Sequence, residues 1–286
     1  MTTYTSKALV DLIKTESELL KEYVSALTPE ELGRPSPCEL WDVGEVIAHL
    51  MWFAETYGGM MKRGLRGDLS PAEGFPAEPG TLRGPDIAEL YGRSAIELRR
   101  RMGQALLPAF CERYDWLNAM LQGIGPDDWD KPCYHTLRIR PVESFVPVIV
   151  AELAVHEWDI RSTIKPPAQL LQNTLPALMA KLPSNRRPWS VPFEAAGTSY
   201  ERVCYRFDLE GTVSSRQDVI VEDGKASLAP AGDATADVSV RCQSEIWALL
   251  VYGRLTLESA AASGLAKVEG EGELVSSVDR WLNSEG

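Results

Sequence analysis

The sequence predicts an α+β chain in which a four-helix bundle over residues 1–184 precedes a small α+β domain over residues 185–286. Three observations predict it. Up to about residue 182, apolar side chains recur at spacings of three and four, the stripe of amphipathic helices. Pro183, Pro188 and Pro192 then bracket a linker, since proline removes a backbone donor and resists continuation of a helix. Beyond it, polar and apolar residues alternate with period two, as in half-buried strands. A chain of 286 residues with 44% hydrophobic content has enough apolar material for two cores.

Taking the elements in order, Leu9, Leu12, Ile13, Glu16, Leu19, Leu20 and Tyr23 mark a first helix from residue 5 to about Leu27, stopped by Thr28-Pro29. A second runs from about Asp42 to Met61, with Gly58-Gly59 expected to fray its end. Gly64 to Pro85 is rich in glycine and proline and reads as a functional lid or an irregular segment. A third helix covers roughly Asp86 to Gln122, broken near Pro108, and a fourth spans about Val142 to Ile164. Four long helices with short and long links make a bundle. In the second domain Val203, Tyr205 and Phe207 alternate with Arg202, Arg206 and Asp208, and further strands follow at 217–222 and 236–241. Glu222-Asp223-Gly224-Lys225 is a hairpin turn. Helices at about 243–263 and 271–282, with Val268-Glu269-Gly270 between them, complete the unit.

Composition narrows the function classes. With 29 basic against 41 acidic residues the net charge is −12, which opposes binding to nucleic acid or an acidic membrane surface and favours a small-molecule substrate. No apolar run approaches the roughly 20 residues that span a bilayer, and Met1 to Lys14 has neither a basic start nor a long apolar segment, so a cytoplasmic location is expected. The cysteines Cys38, Cys111, Cys133, Cys204 and Cys242 form no C-x-x-C pair, so reduced thiols are expected. Cys38 and Cys133 stay open to two readings, a reactive thiol or a small buried hydrophobe.

The chain holds only three histidines. At 100° per residue Phe145, Ile149, Glu152, His156 and Asp159 share an arc of about 80° on the fourth helix, the face expected to point into the core. An unpaired carboxylate there costs several kcal/mol or takes up a proton. Glu and His four apart project side by side, within reach of one metal ion. On the second helix His49 lies at the edge of the stripe Val43, Val46, Leu50, Phe53 and Tyr57 and can point inward. Together these residues make a two-His, one-carboxylate set with open positions for water or substrate, suited to zinc, with iron and nickel as alternatives. Each part also has a plain reading, because a histidine on a helix edge is commonly a hydrogen-bonded core residue and a Glu–His spacing of four arises by chance.

The stretch Pro35-Ser36-Pro37-Cys38-Glu39-Leu40-Trp41-Asp42-Val43-Gly44-Glu45-Val46-Ile47-Ala48-His49-Leu50 resembles the P-C-x-x-W-x-V-x-x-V-x-x-H-L block of mycothiol-dependent maleylpyruvate isomerase-like proteins, of the DinB superfamily. Glu152 to Ile160 resembles that family's E-x-x-x-H-x-x-D block. The resemblance implies a DinB-like bundle with one divalent ion on His49, Glu152 and His156. Asp237 to Arg241, Leu249 to Arg254 and Val268 to Gly270 look like the sterol-carrier-like domain that follows the bundle in many members.

What the resemblance implies about activity is a metal-dependent enzyme that uses a low-molecular-weight thiol, mycothiol, on a small electrophilic substrate, as isomerase or S-transferase. Asp159, one turn beyond His156, is a candidate to orient a ligand, with a solvated helix-end carboxylate as its plain reading. Arginines that can grip a substrate carboxylate bidentately are Arg138, Arg140, Arg161, Arg241 and Arg254. Arg241 is taken with Asp159 as catalytic, and Arg161 and Arg254 as cofactor-binding. Trp41 and Trp158 read as packing first and pocket wall second. His135, in Cys133-Tyr134-His135, has no assigned role. Two rival classes stay open: a thiol-independent metal enzyme such as a hydrolase or cyclase, and a carrier that holds an apolar ligand.

Overall fold

The computed structural model describes residues 4–82, 84–184, 202–222 and 225–283, so Pro188 and Pro192 of the expected linker and Asp223-Gly224 of the expected turn lie outside the described residues. Two compact units emerge, one reaching to Ala177 and the other running from Leu178 to Gly286.

The first unit is helical. Helix α1 (Ser6–Ser25) starts at Thr5, whose side chain accepts the Ala8 N–H, and a four-residue helix α2 (Pro29–Leu32) follows. Helix α3 (Val43–Gly64) is capped by Asp42, whose side chain accepts from Glu45 N at 2.7 Å while the Glu45 carboxylate accepts from Asp42 N at 2.8 Å. That capping box satisfies two donors with no intrahelical partner. Gly58-Gly59 does not fray the helix: Gly58 is buried, and a Cβ there would stand 2.6 Å from the Trp116 ring. Close packing thus outweighs the low helix propensity of glycine.

Helix α4 (Gly84–Met102) and helix α5 (Leu106–Gln122) replace the single expected third helix. The break falls at Gly103, whose φ of 52° lies in the left-handed region, and not at Pro108. Pro108 sits in the first turn of α5, where its missing N–H costs nothing. After a two-residue ladder of β1 (Pro132–Cys133) with β2 (Arg140–Pro141), a 3-10 turn over Val142–Phe145 leads into helix α6 (Val146–Ile164). Helix α7 (Leu175–Lys181) lies across the division between the units.

In the core of this unit α3 packs on α4, α5 and α6, while α1 packs on α5 and α6. Ile13, Leu20, Val46, Leu50, Phe53, Phe110, Leu117, Phe145 and Ile149 fill it. The 65–82 segment is irregular but tied down. Gly80 N donates to Thr136 O at 2.7 Å, Tyr134 Oη donates to Pro76 O at 2.7 Å, and the Phe75 ring stacks 6.2 Å from Trp52.

The second unit carries a five-stranded sheet of β3 (Arg202–Glu210), β4 (Ser215–Glu222), β5 (Lys225–Pro230), β6 (Val238–Gln243) and β7 (Ala266–Gly270), in the order β5-β4-β3-β6-β7. β3 and β6 run parallel, and the other neighbouring pairs of these strands run antiparallel. Helices α8 (Ser244–Val251), α9 (Leu257–Ala262) and α10 (Gly272–Asn283) pack on β3, β6 and β7. Two expectations need correction. The 243–263 helix is two helices, parted near Gly253 with φ 66°, and 266–270 is a strand rather than a connection. Arg206, on the polar side of the predicted alternation, is buried on the central strand, where Asp218 stands directly opposite it.

Candidate metal centre

The loop before α3 is folded by its own short bonds. Ser36 N donates to Trp41 O at 3.0 Å, Ser36 Oγ donates to the same oxygen at 2.8 Å and accepts Cys38 N at 3.1 Å, and Val43 N reaches Arg34 O at 3.0 Å. This tight turn delivers Cys38 and Trp41 to the side of α6 that carries His156. Trp41 covers His49 with ring centroids 4.8 Å apart and stands 6.1 Å from the His156 ring. Trp52, Phe53 and Tyr91 complete an aromatic collar around His49 at 6.4, 6.1 and 6.4 Å.

Glu152 lies between the two histidines. Its Oε2 is 3.0 Å from His49 Nε2 and 3.3 Å from His156 Nε2, and its side chain is 28% exposed while His49 and His156 are buried. One ligand atom from each of the three falls within 4.8 Å of the others. His156 Nδ1 sits 2.8 Å from Asp159 Oδ2, and Cys38 Sγ donates to that same oxygen at 3.2 Å. Asp159 is fully buried, which excludes its reading as a solvated helix-end carboxylate.

The hydrogen-bond logic of this cluster is the decisive feature. An ionised carboxylate only accepts, so Asp159 fixes the proton of a neutral His156 on Nδ1. The Nε2 lone pair then faces a Glu152 oxygen at 3.3 Å, an arrangement that is repulsive without a cation between them. Either a second proton or a metal ion supplies it. With no metal bound, burial lowers the His156 pKa most strongly of the single influences, but the bonds to Asp159, Cys38 and Glu152 outweigh it and raise the value well above the ordinary one. For Glu152, burial pushes upward, and the hydrogen bonds of His156 and His49 hold the carboxyl well below the usual range.

The donor set fits a divalent ion. Ligands of a tetrahedral site with bonds of about 2.0–2.1 Å stand roughly 3.3 Å apart, and two edges of the triad measure 3.0 and 3.3 Å. Cys38, His156 and Asp159 form a second grouping of ligand atoms. Its 2.8 Å edge between Nδ1 and Oδ2 is a hydrogen-bond length, so these residues hold His156 in place rather than bind an ion themselves.

The other candidates have partners of their own. Arg161, on the side of α6 away from Glu152, pairs with buried Glu157 and covers the Tyr23 ring at 4.0 Å. Arg138 is exposed, whereas half-buried Arg140 donates to Ser144 Oγ at 2.8 Å and lies over the Phe145 ring. In the sheet unit Arg241 makes an exposed 3.6 Å pair with Glu210, and Arg254 Nη1 donates to Tyr252 O at 2.8 Å. Trp158 Nε1 donates to Ala168 O at 3.1 Å as a packing residue, and Cys133 is buried, its thiol pushed up to about 12 by burial. Sequence reasoning missed Tyr57 Oη and Tyr91 Oη, which meet at 2.7 Å beside His135. Nothing in the local pattern of α4 marks Tyr91.

Comparison with known proteins matches a family to each part of the chain. The family described as mycothiol maleylpyruvate isomerase N-terminal domain matches residues 13–161, and the SCP-2 sterol transfer family matches residues 196–283. No curated protein matches the chain. Among solved structures, a histidine-to-alanine mutant of the mycothiol-dependent maleylpyruvate isomerase is 17% identical, with TM-score 0.65 over 95% of this chain and 97% of that one. The same isomerase without that mutation gives 17% identity and TM-score 0.61 over 89% and 93%. At that identity the likeness shows a shared fold.

Proposed function

The chain belongs to the mycothiol maleylpyruvate isomerase family through its N-terminal domain, and from that premise we propose a metal-dependent enzyme that adds a low-molecular-weight thiol, mycothiol or a relative, to a small electrophilic substrate. The observation that carries the reading is the Nε2 lone pair of His156 set against a Glu152 oxygen beside a second imidazole. His49, Glu152 and His156 would hold one divalent ion, with zinc first by donor type and iron or nickel as alternatives.

A divalent ion held there supplies the positive charge that favours thiolate over thiol at neutral pH. The residues around it prepare the place. Asp159 locks the His156 ring by its bond to Nδ1, and Cys38 in turn fixes Asp159. Glu152 balances charge from a half-buried position that leaves one side open. Trp41 flanks both imidazoles and Trp52 flanks His49, and this apolar cover strengthens the electrostatic interactions beneath it. The proposed reaction is addition of sulfur to an electrophilic carbon. In an isomerase, rotation about the former double bond and expulsion of the thiol follow; in an S-transferase the sulfur stays attached.

The test is turnover of maleylpyruvate by metal-loaded protein with and without mycothiol. Product that requires both the thiol and the ion supports the reading. Turnover that persists without thiol favours a hydrolase or cyclase, and an apolar ligand bound equally well after chelation, with no turnover, favours a carrier.

A further inference from the structure

The third histidine stands outside the ligand set, and the groups beside it form a chain with a direction. His135 is buried, and its Nδ1 accepts the Leu137 N–H at 3.1 Å. The proton of a neutral His135 is therefore on Nε2. Nε2 faces Tyr57 Oη at 3.5 Å, the long limit of a hydrogen bond, and Tyr57 Oη lies 2.7 Å from Tyr91 Oη. Because His135 Nε2 can only donate, the Tyr57 O–H is aimed at Tyr91. The Tyr91 O–H is then left to donate onward.

The chain ends at the metal centre. Tyr57 and His135 are buried behind, whereas Tyr91 is partly exposed, with its ring 6.4 Å from His49 and 4.9 Å from Trp52. Burial, then the charges of Tyr91 and Glu152 and the bond to Tyr91, raise the Tyr57 pKa well above its ordinary value, so it acts as a neutral relay. Tyr91 is raised by burial, while the bond from Tyr57 pulls the other way. The Tyr57 hydroxyl thus polarises the Tyr91 oxygen and leaves its own proton to donate.

We propose that Tyr91 is a catalytic hydroxyl that donates a hydrogen bond to a substrate oxygen gaining negative charge, with Tyr57 and His135 as the positioning residues that aim and polarise it. The choice of reaction rests on the thiol-addition reading; the geometry does not. When sulfur bonds to the β-carbon of a conjugated enone, the π pair moves to the carbonyl oxygen and an enolate forms. Expulsion of the thiolate restores the carbonyl. No net electrons or protons change hands, and the Tyr91 proton is shared with the enolate oxygen rather than lost to it.

The experiment compares metal-loaded wild type, Tyr91→Phe, Tyr57→Phe, His135→Gln and His135→Ala. Its probe is oxalate, a stable planar dianion that mimics the enolate of a 2-oxo acid, with binding read by calorimetry alongside metal content and melting. Tyr91→Phe is expected to keep a full metal equivalent, to lose about 10- to 100-fold in oxalate affinity, and to lose about 100-fold in kcat with a smaller change in KM. Tyr57→Phe should move the same readouts less, and His135→Gln, which keeps an N–H donor, should hold affinity that His135→Ala loses. If Tyr91→Phe does not fold, Tyr57→Phe and the His135 pair carry the test. Unchanged oxalate affinity in the folded variants, or no oxalate binding by the wild type, overturns the proposal. Affinity that depends on Tyr91 in a protein inert toward mycothiol upholds the hydroxyl donor and removes only the thiol-addition reading.

Discussion

Each unit buries a charged cluster, and the two are built on opposite plans. In the sheet unit Arg206 Nε and Nη2 donate to the two Asp218 oxygens at 2.8 and 2.9 Å, Nη2 also reaches Gly232 O at 2.9 Å, and Gly232 N returns a bond to Asp218 at 2.9 Å. Charge cancels charge, and each bond has a donor and an acceptor. In the helical unit two imidazole nitrogens converge on a single carboxylate oxygen, and one of those rings already has its proton committed to Asp159. That cluster closes through a second proton on His156 or, in the reading proposed above, through a metal ion. Burial and charge alone therefore do not mark a functional site; an imbalance of donors and acceptors does.

The contrast can be broken by experiment. Asp218→Asn leaves a buried guanidinium uncompensated, so it is expected to destabilise the sheet unit by about 3–5 kcal/mol with metal content unchanged. Denaturant melts and elemental analysis read both, and a loss below about 1 kcal/mol would remove the proposed closed pair. Asp159→Asn keeps the fold but loosens His156, and metal affinity is expected to fall about 10- to 100-fold; competition with a chromophoric chelator measures it, and an unchanged affinity contradicts the role given to Asp159.

The pH dependence of the clusters also differs. In the metal-free protein His156 carries a raised pKa, and an ion must displace that proton. Metal affinity should then rise with pH, by up to about tenfold per unit, until the His156 pKa is passed. A flat chelator-competition profile from pH 6 to 8 would show that no such proton is displaced. The Asp218 carboxyl is instead held low, chiefly by the Arg206 hydrogen bond. Its stabilisation is present above the unfolded value near about 4 and is lost as pH falls further. The smallest effect is expected for Cys38→Ser, because a hydroxyl also donates to Asp159: metal affinity should move less than about tenfold, and a larger loss on the same assay would make the thiol itself a ligand.

Much of this was legible because periodicity reports burial. The α6 stripe puts Glu152, His156 and Asp159 among Phe145 and Ile149, and His49 follows from the edge of the α3 stripe. The motif around Cys38 and Trp41 was visible, yet its function was not, since the turn that brings Cys38 to Asp159 closes a sequence gap of 121 residues. Arg206 misled for a related reason: strand alternation tells which side a residue takes, but a central strand covered on both sides buries its polar face, and only the partner strand reveals Asp218. The α4–α5 break was displaced because proline at the start of a helix is harmless, whereas a glycine in the left-handed region ends one. Tyr91 and His135 come from separate segments and are linked through Tyr57, so local pattern could not join them even though His135 stood out in the sequence.

The most direct test of the central claim is elemental analysis of wild type, His49→Ala and His156→Ala after dialysis against metal-free buffer. Close to one equivalent of a first-row divalent ion is expected in the wild type and well under half in each variant, with the sheet unit's melting unchanged. A full equivalent retained in both variants would contradict the three-residue site.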